Sequence, residues 1–366
     1  MIIVSTVHCV NPFVQEIARR VPGVIPILHQ HGCDQMGADL EQTLRTLAGL
    51  CSNPNVFSAL IVGLGCENVT TREILARTKR HNRVVQSINV QAIGDAEHIV
   101  STGTRLLEGL KEQADEQKPE TFEIADLVVG LECGGSDAFS GISANPAVGK
   151  VSDRLVHLGA TVILSEIPEM IGTEELLAKR GATNEIGEQI SLRTQRYIRG
   201  AETMGRDLIG TNPTPGNIRS GLSTIEEKSL GCVTKGGSTP IQEVVEYAQG
   251  PSKKGLVIMD TPGNDGESLT GLTAGGAHMI LFTTGLGTPL GHPIVPVVKI
   301  ATNSQTYRRM RSFIDLNAGG VLEGSSLNEM ADEIFRFVLC VGRGKKTLSE
   351  RFPNSVVSIN RIGPTF

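Results

Sequence analysis

Short apolar runs alternate with helical segments along most of this 366-residue sequence. A run such as Phe57–Leu64 is almost entirely apolar and lacks the polar residue at every second position that a half-exposed strand shows. Such runs are typical of a parallel sheet between two layers of helices, because both faces of each strand are then buried. The sequence therefore predicts an α/β fold with mostly parallel sheets and helices on both faces, similar to a Rossmann fold. The predicted strands are Met1–Val7, Val24–Leu28, Phe57–Leu64, Arg83–Val90, Leu127–Leu131, Thr161–Leu164, Leu256–Met259, Met279–Phe282 and Val295–Ile300.

The segments between these strands have helical patterns. Asn11-Pro12 supplies a cap and a first-turn proline for the first helix. Glycine, proline, serine and asparagine are frequent in Asp207–Gly237, which predicts a long ordered loop across the site. The polar stretch Glu112–Thr121 is the best linker and divides the chain into an N-terminal α/β domain, residues 1–115, and a C-terminal catalytic domain, residues 122–366. The predicted helices are Asn11–Arg20, Ala38–Leu50, Thr71–Arg80, Ala92–Gln113, one from about Pro146, Glu169–Lys179, Asn184–Thr203 and Asn328–Val341.

Composition and charge exclude several classes of protein. The net charge is −5 and no run of basic residues is longer than Lys345-Lys346, which argues against a nucleic-acid partner. The longest apolar runs are too short to span a bilayer, so we expect no membrane association. The N-terminus has no basic stretch of the kind that opens a signal peptide, and we expect a cytoplasmic protein. A symmetric homodimer is the expectation for the oligomer.

Cysteine, histidine and acidic residues follow the ends of several predicted strands. Because ligands bind outside the carboxyl ends of strands in open parallel sheets, we expect these groups to converge on one crevice. They are His29 to Cys33 after the second strand, Gly65 to Glu67 after the third, Glu132 to Asp137 after the fifth, Ser165-Glu166 after the sixth, and Asp260 to Asn264 after the seventh.

These groups are suitable ligands for a soft or borderline divalent metal. Cys33, Cys66, Cys133 and His29 are candidate ligands for iron, manganese or zinc, and nearby carboxylates add oxygen ligands. The alternative is that each cysteine is a small buried apolar residue. Three cysteines without this context are expected to be structural, and Cys9 is intermediate. The acidic candidates are Glu67, Glu132 and Asp137, and the structural cysteines are Cys51, Cys232 and Cys340.

Two further features suggest substrate-binding groups. The run Gly134-Gly135-Ser136-Asp137 is either a backbone nest for a substrate carboxylate or a glycine-rich turn in which Asp137 caps the next helix. Lys299, within a strong strand, and His292, in a turn before it, are each a candidate general base or carboxylate clamp. Their alternatives are an edge-strand lysine and a solvent-facing histidine. The Gly285–Thr288 turn lacks a phosphate-loop lysine, which disfavours a nucleotide cofactor.

Ordered motifs along almost the whole chain resemble the altronate dehydratase/galactarate dehydratase family. The most specific is the run Gly130–Gly141, GLECGGSDAFSG, followed by Asn145-Pro146. The others are His29–Cys33, Asn53–Asn55 with Val62–Glu67, Ser165-Glu166 with Pro168-Glu169, Asn212-Pro213 with Pro215–Asn217, Glu226–Cys232, Met259–Asn264, Phe282–Gly285, Lys299–Asn303 and Asn317–Gly319.

The resemblance implies dehydration of a sugar acid to a 2-keto-3-deoxy acid with Fe²⁺ or Mn²⁺, and a partly knotted α/β architecture. A related branch is similar to the large subunit of sulfolactate sulfo-lyase, which eliminates sulfite from a comparable hydroxy acid. Full-length dehydratases of the family carry a small N-terminal domain, whereas this chain starts at the first strand. The resemblance therefore predicts either a shortened chain or a separate small N-terminal-type subunit. His31 and Asp34 also depart from the family pattern around Cys33.

The resemblance and the strand-end residues together give a hypothesis for each role. A metal lies near Cys33, Cys66 and Cys133, with His29 as a ligand or base. Glu67 or Glu166 is the acid/base partner, and Lys299 clamps the substrate carboxylate. The candidate substrate-binding residues are Gly134, Gly135, Ser136, Asp137, Asp260, Asn264 and His292. The alternatives are a non-catalytic sugar-acid-binding subunit and a zinc hydrolase, the second disfavoured because the sequence has no His-Glu-x-x-His motif.

Overall fold

The computed structural model describes residues 1–78, 84–118, 120–205, 211–352 and 355–365. Two parallel sheets form its framework, with helices packed against them. This confirms the α/β class and the mostly parallel sheets. Within these ranges, no helix combines the length and the apolarity needed to cross a bilayer.

The N-terminal sheet has four strands in the order β2-β1-β3-β4, all parallel. Its strands are β1 (Ile2–Ser5), β2 (Ile25–Ile27), β3 (Ser58–Gly63) and β4 (Val84–Asn89), and its helices are α1 (Asn11–Arg20), α2 (Gly37–Ser52), α3 (Thr71–Thr78), α4 (Val90–Ile93) and α5 (Ala96–Asp115). The helix predicted over Ala92–Gln113 is confirmed from Ala96 onward as α5, but its start is wrong, because the chain breaks between α4 and α5. Gly94 takes a left-handed conformation there, and the Asp95 side chain caps α5 by accepting from His98 N.

The second sheet has seven parallel strands in the order β11-β10-β9-β5-β6-β8-β7. These are β5 (Val128–Cys133), β6 (Thr161–Leu164), β7 (Ile241–Val245), β8 (Gly255–Met259), β9 (Met279–Thr284), β10 (Val297–Ala301) and β11 (Leu316–Asn317). The first strand in sequence, β5, lies between β6 and β9, so the chain leaves it in both directions. The carboxyl ends of β5 and β9 therefore form a topological switch point, where open parallel sheets bind ligands.

Eight α-helices lie among the described residues of the part of the chain that forms the second sheet. They are α6 (Ala144–His157), α7 (Glu174–Ala178), α8 (Asn184–Thr203), α9 (Pro215–Arg219), α10 (Ile225–Val233), α11 (Asp265–Ala274), α12 (Ser304–Arg309) and α13 (Leu327–Gly342). The loop predicted over Asp207–Gly237 is wrong where α9 and α10 form, and residues 206–210 lie outside the described residues. Thr214 and Thr224 cap these two helices, because their side-chain oxygens accept hydrogen bonds from the N–H groups of Asn217 and Glu227 in the first turns.

Apolar side chains fill both faces of both sheets. In β1, Ile3 faces one apolar cluster, whereas Ile2 and Val4 face another. The second of these clusters also contains Met259 of β8 and Phe282 of β9. The two sheets therefore share one core, which fixes the N-terminal part of the chain against the sheet that carries the candidate site.

Candidate active site

A cluster of buried ionisable groups lies at the carboxyl ends of β5 and β6. Glu132 and Cys133 are the last two residues of β5, and Glu166 follows β6 by two residues. Glu169 lies on the short 3₁₀ helix Ile167–Met170. All four side chains are buried. Ligand atoms of Cys133, Glu166 and Glu169 lie close to one another, and Glu132 lies close to Glu166. The apolar strands place them there, because the side chains at the strand ends continue past the core, next to the switch point between β5 and β9.

Two buried lysines neutralise part of this negative charge. Lys228 of α10 lies with its Nζ 2.5 Å from Glu169 Oε1, and the Nζ of Lys235 is 3.4 Å from Glu166 Oε2. Burial opposes the charge on Lys235, but the surrounding Cys133, Cys232 and glutamates outweigh this and hold its pKa above the ordinary value. Buried lysines are rare unless they are paired, and both are paired here.

The cluster has two halves, and the first consists of Glu166, Glu169 and the thiols of Cys133 and Cys232. Cys133 Sγ donates to Glu169 Oε2 at 3.0 Å and lies 3.6 Å from Cys232 Sγ. The hydrogen bond with Cys232 and burial raise the pKa of Cys133 well above the usual value. The structure thus places Cys232, which the sequence suggested was structural, beside the candidate metal ligand Cys133.

The second half of the cluster consists of Glu132, Glu166 and Asp265, whose candidate ligand atoms are all carboxylate oxygens. Glu132 Oε2 accepts hydrogen bonds from Ser165 Oγ at 2.9 Å and from Ser268 Oγ at 2.5 Å. Asp265, the first residue of α11, lies beside Gly134, where any Cβ would collide with the Asp265 carboxylate. Burial raises the pKa of Asp265 to about 6, and burial next to Glu166 raises that of Glu132 well above its usual range.

Glu166 belongs to both halves and has an unusual backbone conformation. Its φ of 67° is in the left-handed region, which costs about 1–3 kcal/mol for a residue with a Cβ. The Glu166 N–H donates to Thr261 Oγ1 at 2.7 Å, and its Oε2 accepts from the Cys133 N–H at 2.9 Å. Burial and the neighbouring Glu169 raise its pKa to about 7. Strain of this kind is concentrated at functional sites.

A cavity of about 240 Å³ opens next to the cluster. Ser136, Asp137 and Lys228 are among its lining residues, so Lys228 connects the buried carboxylates to open space. A second cavity, of about 430 Å³, lies on the β9 and β10 side and is lined by Asp137, Gly285 and Asn303 among others. Both cavities border the switch point, where the sequence predicted the substrate crevice.

The N-terminal candidate residues lie at the ends of β1 to β3. Both ring nitrogens of His29 have partners, with Nε2 2.8 Å from Ser5 O and Nδ1 accepting from His31 N, and burial lowers its pKa to about 4. Glu67 accepts from Thr6 Oγ1, Leu64 N and Gly65 N. The base or acid role of these two residues stays a prediction, and the present contacts use their polar atoms structurally.

The three predicted metal-binding cysteines do not form one group. Cys33 is half-buried and Cys66 is exposed, with Gln91 Nε2 3.4 Å from Cys66 Sγ. Burial, followed by the nearby Cys9, raises the pKa of Cys33. Among the described residues, the groups whose ligand atoms come within 4.8 Å of one another include Cys133 but neither Cys33 nor Cys66.

The Gly134–Asp137 run forms a turn that Asp137 holds with hydrogen bonds. Asp137 Oδ1 accepts from Phe139 N and Ser140 Oγ, and its Oδ2 accepts from Thr302 Oγ1 at 2.8 Å. The Gly134 N–H donates to Thr283 O, and Gly135 has a φ of 62°. Ser136 lines the 240 Å³ cavity. Asp137 therefore stabilises this turn and does not cap the next helix, because the N-cap of α6 is Ser143. A substrate-binding role for this run stays a prediction.

The remaining candidates are also engaged with the protein. Asp260 accepts from Arg196 at 2.7 and 2.8 Å, and Asn264 caps α11. Lys299 is buried in β10, a central strand, and its Nζ donates to Pro289 O at 2.8 Å. Burial lowers its pKa to about 8, and lowers that of the buried His292 to about 3. The edge-strand and solvent-facing alternatives for Lys299 and His292 are therefore wrong, because both side chains are inside the fold.

Comparison with known proteins places the chain in a family. The D-galactarate/Altronate dehydratase, C-terminal family matches residues 124–365, the part that carries the buried cluster. The D-galactarate dehydratase/Altronate hydrolase, second domain family matches residues 1–115. The chain belongs to the galactarate/altronate dehydratase family. This confirms the resemblance that the sequence motifs indicated.

Three relatives illustrate the range of the family. The chain is 36% identical over 99% of its length to "Altronate dehydratase" of Bacillus subtilis (strain 168), of which it spans 74%. It is 36% identical over 84% of its length to "Galactarate dehydratase (L-threo-forming)" of Escherichia coli (strain K12), of which it spans 61%. It is also 32% identical over 96% of its length to "(2R)-sulfolactate sulfo-lyase subunit beta" of Chromohalobacter salexigens, of which it spans 90%.

The family motifs carry most of the cluster. Gly130–Gly141 supplies Glu132 and Cys133, and Glu226–Cys232 supplies Lys228 and Cys232. The second motif was the signal that could have identified the Lys228 side chain, but it falls in the segment interpreted as a loop. Lys235 lies outside these motifs, and its burial became visible only in the fold.

Proposed function

We propose that this chain dehydrates a sugar acid of the altronate or galactarate type to a 2-keto-3-deoxy acid. The observation that carries the proposal is the buried cluster of carboxylates, lysines and thiols, which borders a cavity at the switch point of a chain from this dehydratase family. Water loss from a 2,3-dihydroxy acid requires removal of the proton at C2 and protonation of the hydroxyl leaving C3. The enol that results tautomerises to the 2-keto acid.

Lys228 is the residue of the cluster best placed to meet the substrate. Its Nζ is held by Glu169 Oε1 and by Asn212 Oδ1 at 2.7 Å, and an ammonium has three hydrogens to donate. Burial lowers its pKa, but Glu169 and Cys133 outweigh burial and raise the pKa, so the group stays charged. A fixed positive charge beside the cavity would bind the substrate carboxylate and stabilise the negative charge that develops when the C2 proton leaves.

The cluster also fits a divalent cation such as Fe²⁺ or Mn²⁺. When bound, such an ion would polarise the substrate carboxylate and a hydroxyl group. Among the residues that the structure describes, two groups of side chains have ligand atoms close enough to hold it. The first is Cys133, Glu166, Glu169 and Cys232, and the second is Glu132, Glu166 and Asp265.

A substrate panel tests the proposal. The purified chain is incubated with altronate, galactarate and sulfolactate, with and without Fe²⁺ or Mn²⁺, and 2-keto-3-deoxy acid and sulfite are measured. We expect 2-keto-3-deoxy acid from one of the two sugar acids. If no sugar acid reacts and none binds, the proposal is wrong, and binding without turnover would favour a sugar-acid-binding subunit.

The second candidate is elimination of sulfite from sulfolactate. The match to a sulfo-lyase subunit over 96% of the chain favours it. Because that relative is named as one subunit of an enzyme, the panel is repeated with a small N-terminal-type subunit added. Release of sulfite without any keto acid from the sugar acids would select this candidate.

A further inference from the structure

We propose that Glu132, Glu166 and Asp265 form the binding site for a divalent cation, with oxygen ligands alone, and that the thiols of Cys133 and Cys232 are not ligands. The inference deepens the proposed function by choosing between the two groups of side chains. It rests on that function only for the use of the ion in turnover, since binding of the ion is measured separately.

Two carboxylate oxygens in this group have no hydrogen-bond partner among the described residues. They are Glu132 Oε1 and Glu166 Oε1, and both side chains are fully buried. A buried carboxylate oxygen without a partner is costly, because it has lost its water. A cation bound by these two carboxylates would give both oxygens a partner.

The partner oxygens of the same carboxylates are firmly held. Ser165 and Ser268 donate to Glu132 Oε2, and the Cys133 N–H donates to Glu166 Oε2. Each glutamate is therefore anchored through one oxygen and presents the other. Hydrogen bonds of this kind orient ligands around metal ions.

Asp265 completes the group from another element. Its carboxylate lies within 4.8 Å of the ligand oxygens of Glu132 and Glu166, and the absence of a side chain at Gly134 allows it to approach β5. Asp265 is only partly buried, unlike the two glutamates. An ion would therefore reach the group from the side of Asp265.

In the other set of side chains, Cys133, Glu166, Glu169 and Cys232, lysines already balance the negative charge of the carboxylates. Glu169 is paired with Lys228, and Cys133 donates to Glu169. A cation placed among Cys133, Cys232 and Glu169 would meet the Lys228 ammonium at close range and would require the thiols to lose their protons. Lys235 also approaches Glu166, but its Nζ contacts Oε2. Glu166 Oε1 therefore stays available to the site formed with Glu132 and Asp265.

The ligand chemistry predicts which ions bind. Carboxylate oxygens suit Mg²⁺, Mn²⁺ and Fe²⁺, whereas thiolates would select Zn²⁺. We therefore expect Mn²⁺ to bind to the protein without help from its cysteines.

Titration with Mn²⁺ tests the site. Free Mn²⁺ is followed by its electron paramagnetic resonance signal in the presence of the wild-type chain and of four variants. Glu132→Gln and Asp265→Asn remove ligands, Cys232→Ser alters the thiol group, and Glu202→Gln on the exposed face of α8 is the matched control. Circular dichroism and thermal unfolding verify that each variant is folded.

We expect one Mn²⁺ per chain, with affinity lowered at least about tenfold by Glu132→Gln and by Asp265→Asn, and changed less than about twofold by Cys232→Ser and Glu202→Gln. Loss of binding in Cys232→Ser with full binding in Asp265→Asn would overturn the inference, as would a wild-type chain that binds no Mn²⁺. If Glu132→Gln does not fold, Asp265→Asn decides, because its side chain is partly exposed. Normal Mn²⁺ binding without turnover of any substrate would refute the proposed function and leave the cation site standing.

Discussion

Glu166 is the residue at which the two halves of the buried cluster meet. Its left-handed backbone, its contact with the Cys133 N–H and its unpartnered Oε1 all arise from the turn after β6. Gly134 also contributes to the site, because its lack of a side chain leaves room for the Asp265 carboxylate. At the scale of single residues, the site depends on close approaches that only particular side chains permit.

Gly134→Ala tests one such approach. The added methyl group would push the Asp265 carboxylate away, and we expect the free energy of unfolding to fall by about 1–3 kcal/mol and Mn²⁺ affinity to fall with it. Urea denaturation and the Mn²⁺ titration measure the two effects. Gly109→Ala in α5, where a Cβ meets no neighbour, is the control and should be neutral or stabilising. Unchanged Mn²⁺ affinity in Gly134→Ala would remove Asp265 from the site.

His292 gives a prediction for the dependence of stability on pH. Burial holds its pKa at about 3, below the value of about 6.5 in an unfolded chain, so the unfolded state binds more protons between these values. The free energy of unfolding should therefore drop as pH falls below 6.5, by up to about 1.4 kcal/mol per pH unit from this residue. In His292→Asn the drop between pH 6.5 and 5, measured by urea denaturation, should be smaller by up to about 2 kcal/mol. The exposed His98→Asn should keep the wild-type slope, and an equal slope in His292→Asn would contradict the account.

At the scale of elements, the apolar runs were enough to predict nine strands of the two sheets. The missed strands have physical reasons: β7 has Gln242 and Glu243 in its middle, and β11 has two residues. The helices α9 and α10 were missed because their caps lie in a glycine- and proline-rich segment.

The clarity of each element in the sequence also decided which site residues could be predicted. Cys133 and Glu166 end or follow strands that the sequence shows clearly, so their convergence was predictable. Lys228 and Cys232 come to the cluster on α10, whose orientation no local pattern reveals. The separation of Cys33 and Cys66 from Cys133 was also not predictable, because one crevice was expected where the chain forms two sheets.

The contact between α2 and α11 gives a prediction at this scale. Gly49 of α2 lies against the Ala274 carbonyl group of α11, and a Cβ at position 49 would collide with it. Gly49→Ala should lower the free energy of unfolding by about 1–3 kcal/mol, although alanine is the better helix former. Gly200→Ala in α8, which has open space around it, is the matched control for urea denaturation. A stabilised Gly49→Ala variant would show that the helices are not in this contact.

At the scale of the whole molecule, the C-terminal segment Ile359–Arg361 contacts helix α2 of the N-terminal part and packs into the core between the two sheets. Gln42 Nε2 donates to Asn360 O at 2.7 Å, and Arg361 Nε is 2.9 Å from Asp39 Oδ2. Ile359 lies in the apolar core that the two sheets share. Loss of these contacts should therefore lower the free energy of unfolding of both sheets together.

Ile359→Ala tests the shared core. Ile359 is 1% exposed, so its truncation should lower the free energy of unfolding by about 2–4 kcal/mol. Ile362→Ala, three residues further along and 58% exposed, should change it by less than about 0.5 kcal/mol. Equal effects of the two variants in urea denaturation would mean that the segment is not packed in the core.

The most direct test of the central claim is the rate at which the chain dehydrates its sugar acid when Lys228 is changed. Lys228→Met should lower kcat/KM by about 100-fold or more, because it removes the fixed charge beside the cavity, and Lys228→Arg should lose less. The exposed Lys253→Met is the control and should stay within about twofold of the wild type. A folded Lys228→Met variant that dehydrates the sugar acid at the wild-type rate would contradict the assignment of the active site to the buried cluster.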